Sequence, residues 1–273
     1  MITKNKKHIV IFGIAIFCIL TTKGFSFPDK TFQVIKVRGK VQNVTKNDLL
    51  IVKKHFSSED KLRFSSQEDR LAVIDEALRT YIVKPHRNLS NYDLEPIRAK
   101  YNTRPGEILT YIAFVKYLEG KDFLILSDQV KLKIEAPDLQ LDEKHFFYIR
   151  YKLEGEESPV NKKLSSEDNQ IIISKSALFQ VDGQTISPES ASDFELFYYN
   201  SAESKSLKIN NLSLVFPDKT ILKEEVDVII ASFGDDLENR EELRKAIENY
   251  LMEVYGVPEK ENLDEWLGGE YGL

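Results

Sequence analysis

His55, His86 and His145 are the histidines beyond residue 26, and none lies within one helical turn of another. The chain has no His-Glu-x-x-His motif, so no metal ligand set is expected. Asp235-Asp236-x-Glu238 carries enough charge to attract calcium but lacks the ligand spacing of a calcium loop. A helix start accounts for it better. No Gly-x-Ser-x-Gly elbow offers a serine nucleophile, and no Gly-x-x-x-x-Gly-Lys run offers a phosphate loop. With 44 Asp and Glu residues, some pair of carboxylates will always meet in a folded chain, so their number selects no hydrolytic mechanism. These patterns name no catalytic residue and no cofactor. What remains is aromatic. Phe146, Phe147, Tyr148 and Tyr151, with Phe197, Tyr198 and Tyr199, put rings on both faces of two strands. If one face is core, Phe146, Tyr148, Phe197 and Tyr199 form a ring cluster on the other, suited to a sugar or a peptide. Burial of that second face against helices or the N-terminal module is the alternative.

The first 26 residues set the compartment. Lys4, Lys6 and Lys7 precede an apolar run from Ile9 to Leu20, and Gly24 and Ser26 place small residues before a cut at Phe27. This is the pattern of a secretory signal peptide, and the run is short for a membrane span. Cys18 is the only cysteine, and Ile16 and Phe17 before it do not suit a lipoprotein site. Cleavage would leave no thiol and no disulfide, as in a bacterial envelope protein that relies on its core. Removing the four lysines of this segment shifts the net charge from −6 to −10. Residues 235–273 hold twelve acidic against four basic residues, so the acidity is concentrated there. The body is near neutral, and nucleic acid is not an expected partner.

The elements that must position any site read mainly as β. From Phe32 to Val83, five short apolar runs are separated by polar turns: Phe32 to Val41, Leu49 to Val52, Asp60 to Phe64, Leu71 to Asp75 and Tyr81 to Val83. That spacing predicts a small N-terminal β-barrel over 27–85. Val37-x-Gly39-x-Val41, the Leu49 strand, Asp60-x-Leu62 and Leu71-Ala72-Val73 resemble bacterial Src-homology-3-like barrels and the periplasmic β-domain of iron-citrate-type signal transducers. The resemblance covers about a fifth of the chain and implies a small binding module.

Residues 86–122 read as a linker followed by a helix over Ile108 to Leu118, started at Thr103–Gly106 and ended by Gly120, with a strand as the alternative because Ile, Tyr, Phe and Val fill the segment. From Phe123 to 234 a series of strands predicts a larger antiparallel β-sandwich. His145–Leu153 is its clearest strand, Asp182-Gly183 its hairpin turn, and Asn210-Asn211 a bulge. Thr220 to Ile230 is expected to be the closing strand. Residues 235–273 read as an acidic amphipathic helix: Asp235 and Glu238 box its start, Leu243, Ala246, Ile247, Tyr250, Leu251 and Val254 form its stripe, and Gly256 and Pro258 end it. Asn262 is expected to cap a last turn.

Together these readings predict an exported, non-enzymatic protein of the periplasm or cell surface that holds an envelope protein or glycan partner. No membrane span is expected once the signal is removed. Two rivals are an envelope glycan hydrolase using two carboxylates and a regulatory module that docks through its acidic helix.

Overall fold

The computed structural model describes residues 30–98, 104, 107–120, 122–234 and 239–273. The expected signal peptide and the Asp235–Glu238 box lie outside them. The described chain is mainly β, with several antiparallel sheets. No helix among the described residues is long and apolar enough to cross a membrane.

In the N-terminal part, strands His55–Ser57, Thr31–Arg38, Arg70–Asp75, Thr80–Pro85 and Tyr92–Pro96 lie in that order in one antiparallel sheet. Asp48–Leu49, Val41–Asn43 and Leu62–Phe64 form a second sheet. Neither closes, so the expected barrel is replaced by two open sheets over a core of Phe32, Val34, Phe56, Phe64 and Leu71. The five-stranded sheet continues into Tyr92–Pro96, inside the stretch read as linker. A bulge between Val34 and Lys36 buries Ile35 in a different core from Val34, toward the C-terminal helices. The N-terminal sheet is thereby buried on both faces.

Three aspartates tie its turns. Asp60 accepts from the Ser57 amide (2.9 Å) and the buried Asn43 amide side chain (2.9 Å), and Lys46 approaches it at 3.0 Å. Asp69 accepts from the amides of Ser65 (2.7 Å) and Ser66 (2.9 Å). Asp75 accepts from the amides of Ala77 (2.9 Å) and Arg79 (3.0 Å) and from the Tyr81 hydroxyl (3.1 Å). Burial pushes each carboxyl up, but these hydrogen bonds outweigh it and hold all three below the usual carboxylate value. A depressed carboxyl contributes stability that is complete above its unfolded pKa, about 3.9, and lost as pH falls through the folded one. Glu259 titrates in the opposite sense, since burial raises it. With Asp142 and Asp264 also lowered, by hydrogen bonds from His145 and Lys260, five groups stand against one, and the urea midpoint is expected to fall below about pH 4. Asp69→Asn should lose less on acidification than the wild-type chain; an equal loss would refute the assignment.

Gly39 has φ +84°, and a Cβ there would stand 2.0 Å from Asp69 Oδ1. Gly39→Ala therefore strains the backbone and displaces the carboxylate that ties the turn. The expected loss, read as a lowered thermal midpoint, is about 1–3 kcal/mol.

The middle of the chain builds two four-stranded sheets. One runs Ser165–Glu167, Gln170–Ser174, Gln129–Ile134, Glu107–Ile108, its last pair parallel. The other runs Val160–Lys163, His145–Leu153, Ala191–Asn200, Lys205–Asn211, antiparallel throughout. Val130, Leu132, Ile134, Ile171 and Ile173 of the first share one core with Phe147, Ile149, Tyr151, Leu196 and Tyr198 of the second. The Asp182-Gly183 turn forms as expected, both residues having positive φ. A register shift opposite Leu196/Phe197 falls beside the expected bulge. The short helix α1 (Tyr111–Tyr117) is capped by Thr110, well after the expected start. It buries Phe114 and Tyr117, whereas Leu109 and Ile112 of the expected stripe are exposed. A single turn, α2 (Lys175–Leu178), precedes the hairpin.

The expected strand at 220–230 is instead the helix α3 (Lys219–Phe233). Asp218 caps it, accepting from Thr220 (2.9 Å) and Ile221 (3.0 Å). Leu222, Val226, Ile229 and Phe233 are buried at helical spacing, and that burial overrides the strand preference of the β-branched residues among them. Two more helices follow in place of one: α4 (Arg240–Val254) and α5 (Lys260–Tyr271). The whole predicted stripe of α4 packs inward. Glu259, not Asn262, caps α5; it accepts from the amides of Glu261 (2.8 Å) and Asn262 (2.7 Å). The buried Asn262 side chain instead bonds the Leu126 amide (3.1 Å) and Ser127 Oγ (2.6 Å).

The three helices surround a parallel sheet of three two-residue strands, Leu214–Val215, Phe123–Leu124 and Val257–Pro258. Its core joins Leu124, Leu126, Leu222, Ile229, Ile247, Tyr250, Leu251, Leu263 and Leu267 to Ile35 and Ile74 of the N-terminal sheet. This helical hub is where the N-terminal and middle sheets meet. Gly256 makes room there: a Cβ would stand 2.4 Å from the Asp122 carbonyl oxygen.

Candidate functional site

Strict alternation along His145–Leu153 and Ala191–Asn200 separates an inner from an outer face. Phe147, Ile149, Tyr151, Phe194, Leu196 and Tyr198 are buried inside. Tyr151 donates to the Leu178 carbonyl (2.6 Å) and Tyr198 to that of Gln140 (2.9 Å). Burial raises both hydroxyls, so they remain protonated donors and fix the floor of the sheet to the loops behind it.

The outer face carries the four predicted rings, and register brings them together. Phe146 stands opposite Tyr199, and Tyr148 opposite Phe197. The first pair lies 5.2 Å apart between centroids at 50°, the second 5.0 Å apart and almost parallel at 7°. Cross-strand ring pairs of this kind stabilise a sheet by about 0.5–1.5 kcal/mol beyond their burial. The Tyr148 hydroxyl is 3.1 Å from Ser206 Oγ.

Two cations complete the face. Lys163, opposite Tyr148, places Nζ 4.1 Å from the Phe146 centroid. Arg150 places Cζ 4.9 Å from the Phe197 centroid and donates from Nε to Asn161 Oδ1 (2.9 Å). Neither has a carboxylate within salt-bridge distance among the described residues. Phe146, Tyr148, Tyr199 and both cations, with Asn161 and Ser206, line a shallow depression of about 320 Å³, and Phe197 stacks on Tyr148 at its side.

Arg150 also borders a second, larger cavity of about 650 Å³ lined by Lys152, Asp193, Glu195 and Asn211. It opens where the register shifts between Arg150 and Lys152, and Asp193 there has φ +55°. The bulge spreads the strands and turns the two carboxylates toward solvent. Both are held in ion pairs, Asp193 with Lys152 (3.0 Å) and Glu195 with Lys208. Depression and cavity are joined at Arg150 and form one groove along the sheet.

No family model, curated protein or solved structure matches the chain. The site therefore stands on its own geometry.

The three histidines stay apart. His86 bonds Asp93 (2.8 Å) on the N-terminal sheet, His145 bonds Asp142 (2.9 Å), and His55 begins an edge strand. Among the described residues no three His, Cys, Asp or Glu side chains gather to hold a metal. Ring positions alone directed the sequence reading, which is why Arg150, Lys163, Lys152 and Glu195 were not part of it. The signal was present: Arg150 stands two residues beyond Tyr148 and Glu195 two before Phe197, on the same face of an alternating strand.

Proposed function

We propose that this chain is an exported, non-enzymatic binding protein of the bacterial envelope whose outer sheet face holds a protein or glycan partner. The observation that carries the reading is the groove itself, with four rings and two carboxylate-free cations on one exposed, rigid sheet face. Partly exposed aromatic residues and arginine are the side chains that most often dominate binding energy. The Lys4–Ser26 leader pattern supports export, and the two open N-terminal sheets serve as a support packed on the hub.

The hydrolase reading finds its two carboxylates in Asp193 and Glu195, but lysines occupy both. Docking through the acidic helix loses its apolar face, which is spent inside the hub.

A Tyr148→Ala/Phe197→Ala double variant tests the proposal. It should lose at least about tenfold in affinity for the envelope component retained by the wild-type protein, at about 1–3 kcal/mol per truncated ring. Its circular dichroism should be unchanged. A folded variant that binds as well as wild type overturns the sheet face as the site.

A further inference from the structure

Resting on that reading, we propose that the occupant of the groove is an acidic polysaccharide, a sugar chain bearing carboxylates. Charge on the face argues for the anion. Of its four cations, Lys152 and Lys208 are neutralised by Asp193 and Glu195, while Arg150 and Lys163 meet only rings and Asn161. Two uncompensated cations flank the stacked Tyr148–Phe197 pair, one on each side along the strands.

Backbone accounting argues for the sugar. Over Tyr148–Tyr151 and Glu195–Asn200 the strands are engaged in ladders on both edges. A peptide laid across the rings would surrender its own backbone hydrogen bonds to water and find no backbone partner in return. A pyranose presents C–H groups to the rings and keeps its hydroxyls at the rim, where Asn161, Ser206 and Asn211 stand. The guanidinium of Arg150, at the junction of depression and cavity, is placed to accept a uronate carboxylate by paired N–H donation.

The test uses the full chain and three probes in titration calorimetry: polygalacturonate, the same polymer methyl-esterified, and poly-glutamate of equal charge. Polygalacturonate should bind and weaken with added salt, the ester at least about tenfold more weakly, and poly-glutamate no better than the ester. Arg150→Gln and Lys163→Gln should each cost about tenfold toward polygalacturonate, and Lys54→Gln, on the N-terminal part, nothing. Equal binding of poly-glutamate and polygalacturonate, or of ester and acid, overturns the proposal. So does an absence of polygalacturonate binding. If the Tyr148→Ala/Phe197→Ala variant still loses its envelope partner in that case, only the polysaccharide assignment fails; if it does not, the sheet face fails as well.

Discussion

Replacing Glu225 by alanine is expected to destabilise the protein by about 3–5 kcal/mol, because it strands a lysine and two tyrosines at the seam between the N-terminal sheet and the hub. Glu225 is 1% exposed. One carboxylate oxygen meets Lys36 Nζ at 2.8 Å; the other accepts from the hydroxyls of Tyr250 (2.7 Å) and Tyr255 (2.5 Å). Lys36 also lies 4.1 Å from the Tyr255 ring centroid. The bulge that buries Ile35 is what turns Lys36 toward this carboxylate. Burial foremost, then the Glu225 charge, pushes the Tyr250 hydroxyl far up, so it remains a donor at any pH the fold survives. Removing the acceptor leaves these donors dry, whereas Lys36→Met removes a cation that still reaches solvent and should cost less. Chemical denaturation of Glu225→Ala, Glu225→Gln and Lys36→Met gives the ranking. The alanine change must be the worst and glutamine intermediate; a neutral alanine variant would refute the seam.

The second large effect is loss of the fold on truncation. A chain ending at Gly234 lacks Ile247, Tyr250, Leu251, Leu263 and Leu267, all nearly inaccessible, and one edge of the parallel sheet. Those five side chains alone represent about 1.5–3 kcal/mol each of burial, together comparable with the whole stability of a typical domain. Limited proteolysis and circular dichroism of the truncated chain should report an unfolded or molten product. A native-like truncated protein that had lost only a partner would restore docking through the acidic helix as the better account.

Much of the fold was readable because burial and periodicity agreed. Along 147–153 and 194–198 every inward position is apolar or aromatic, and alternation placed the rings on the correct face. At 220–230 they disagreed: Val226, Val228, Ile229 and Ile230 are strand-forming residues, and only the 3–4 spacing of buried positions marks the helix. Four of the five N-terminal runs hold strands as read, while Leu49–Val52 keeps only Leu49 in one and His55–Ser57 was missed; nothing local distinguishes a closed barrel from two open sheets. Closure depends on which strands pair, and here His55–Ser57 and Tyr92–Pro96 end as edges. Phe123–Leu124 and Leu214–Val215 fall in runs legible as strand, but their parallel pairing, and the strand at Val257–Pro258, were beyond local patterns.

That hub bears on how the chain comes to be folded. Its central strand, Phe123–Leu124, takes partners about 90 and 130 residues further along. Pairings so distant in sequence carry a high loop-closure cost and slow the search for them. During synthesis, the seam that receives the N-terminal sheet cannot form until Val257 and the helix after it have been made. Until then Ile35 and Ile74 have only part of the core that covers them, the part supplied by Leu124, Leu126 and the helix Lys219–Phe233. The N-terminal part can close its own core early, but its second face waits for the last helices, and a half-covered sheet of that kind is prone to misassociation until the chain is complete.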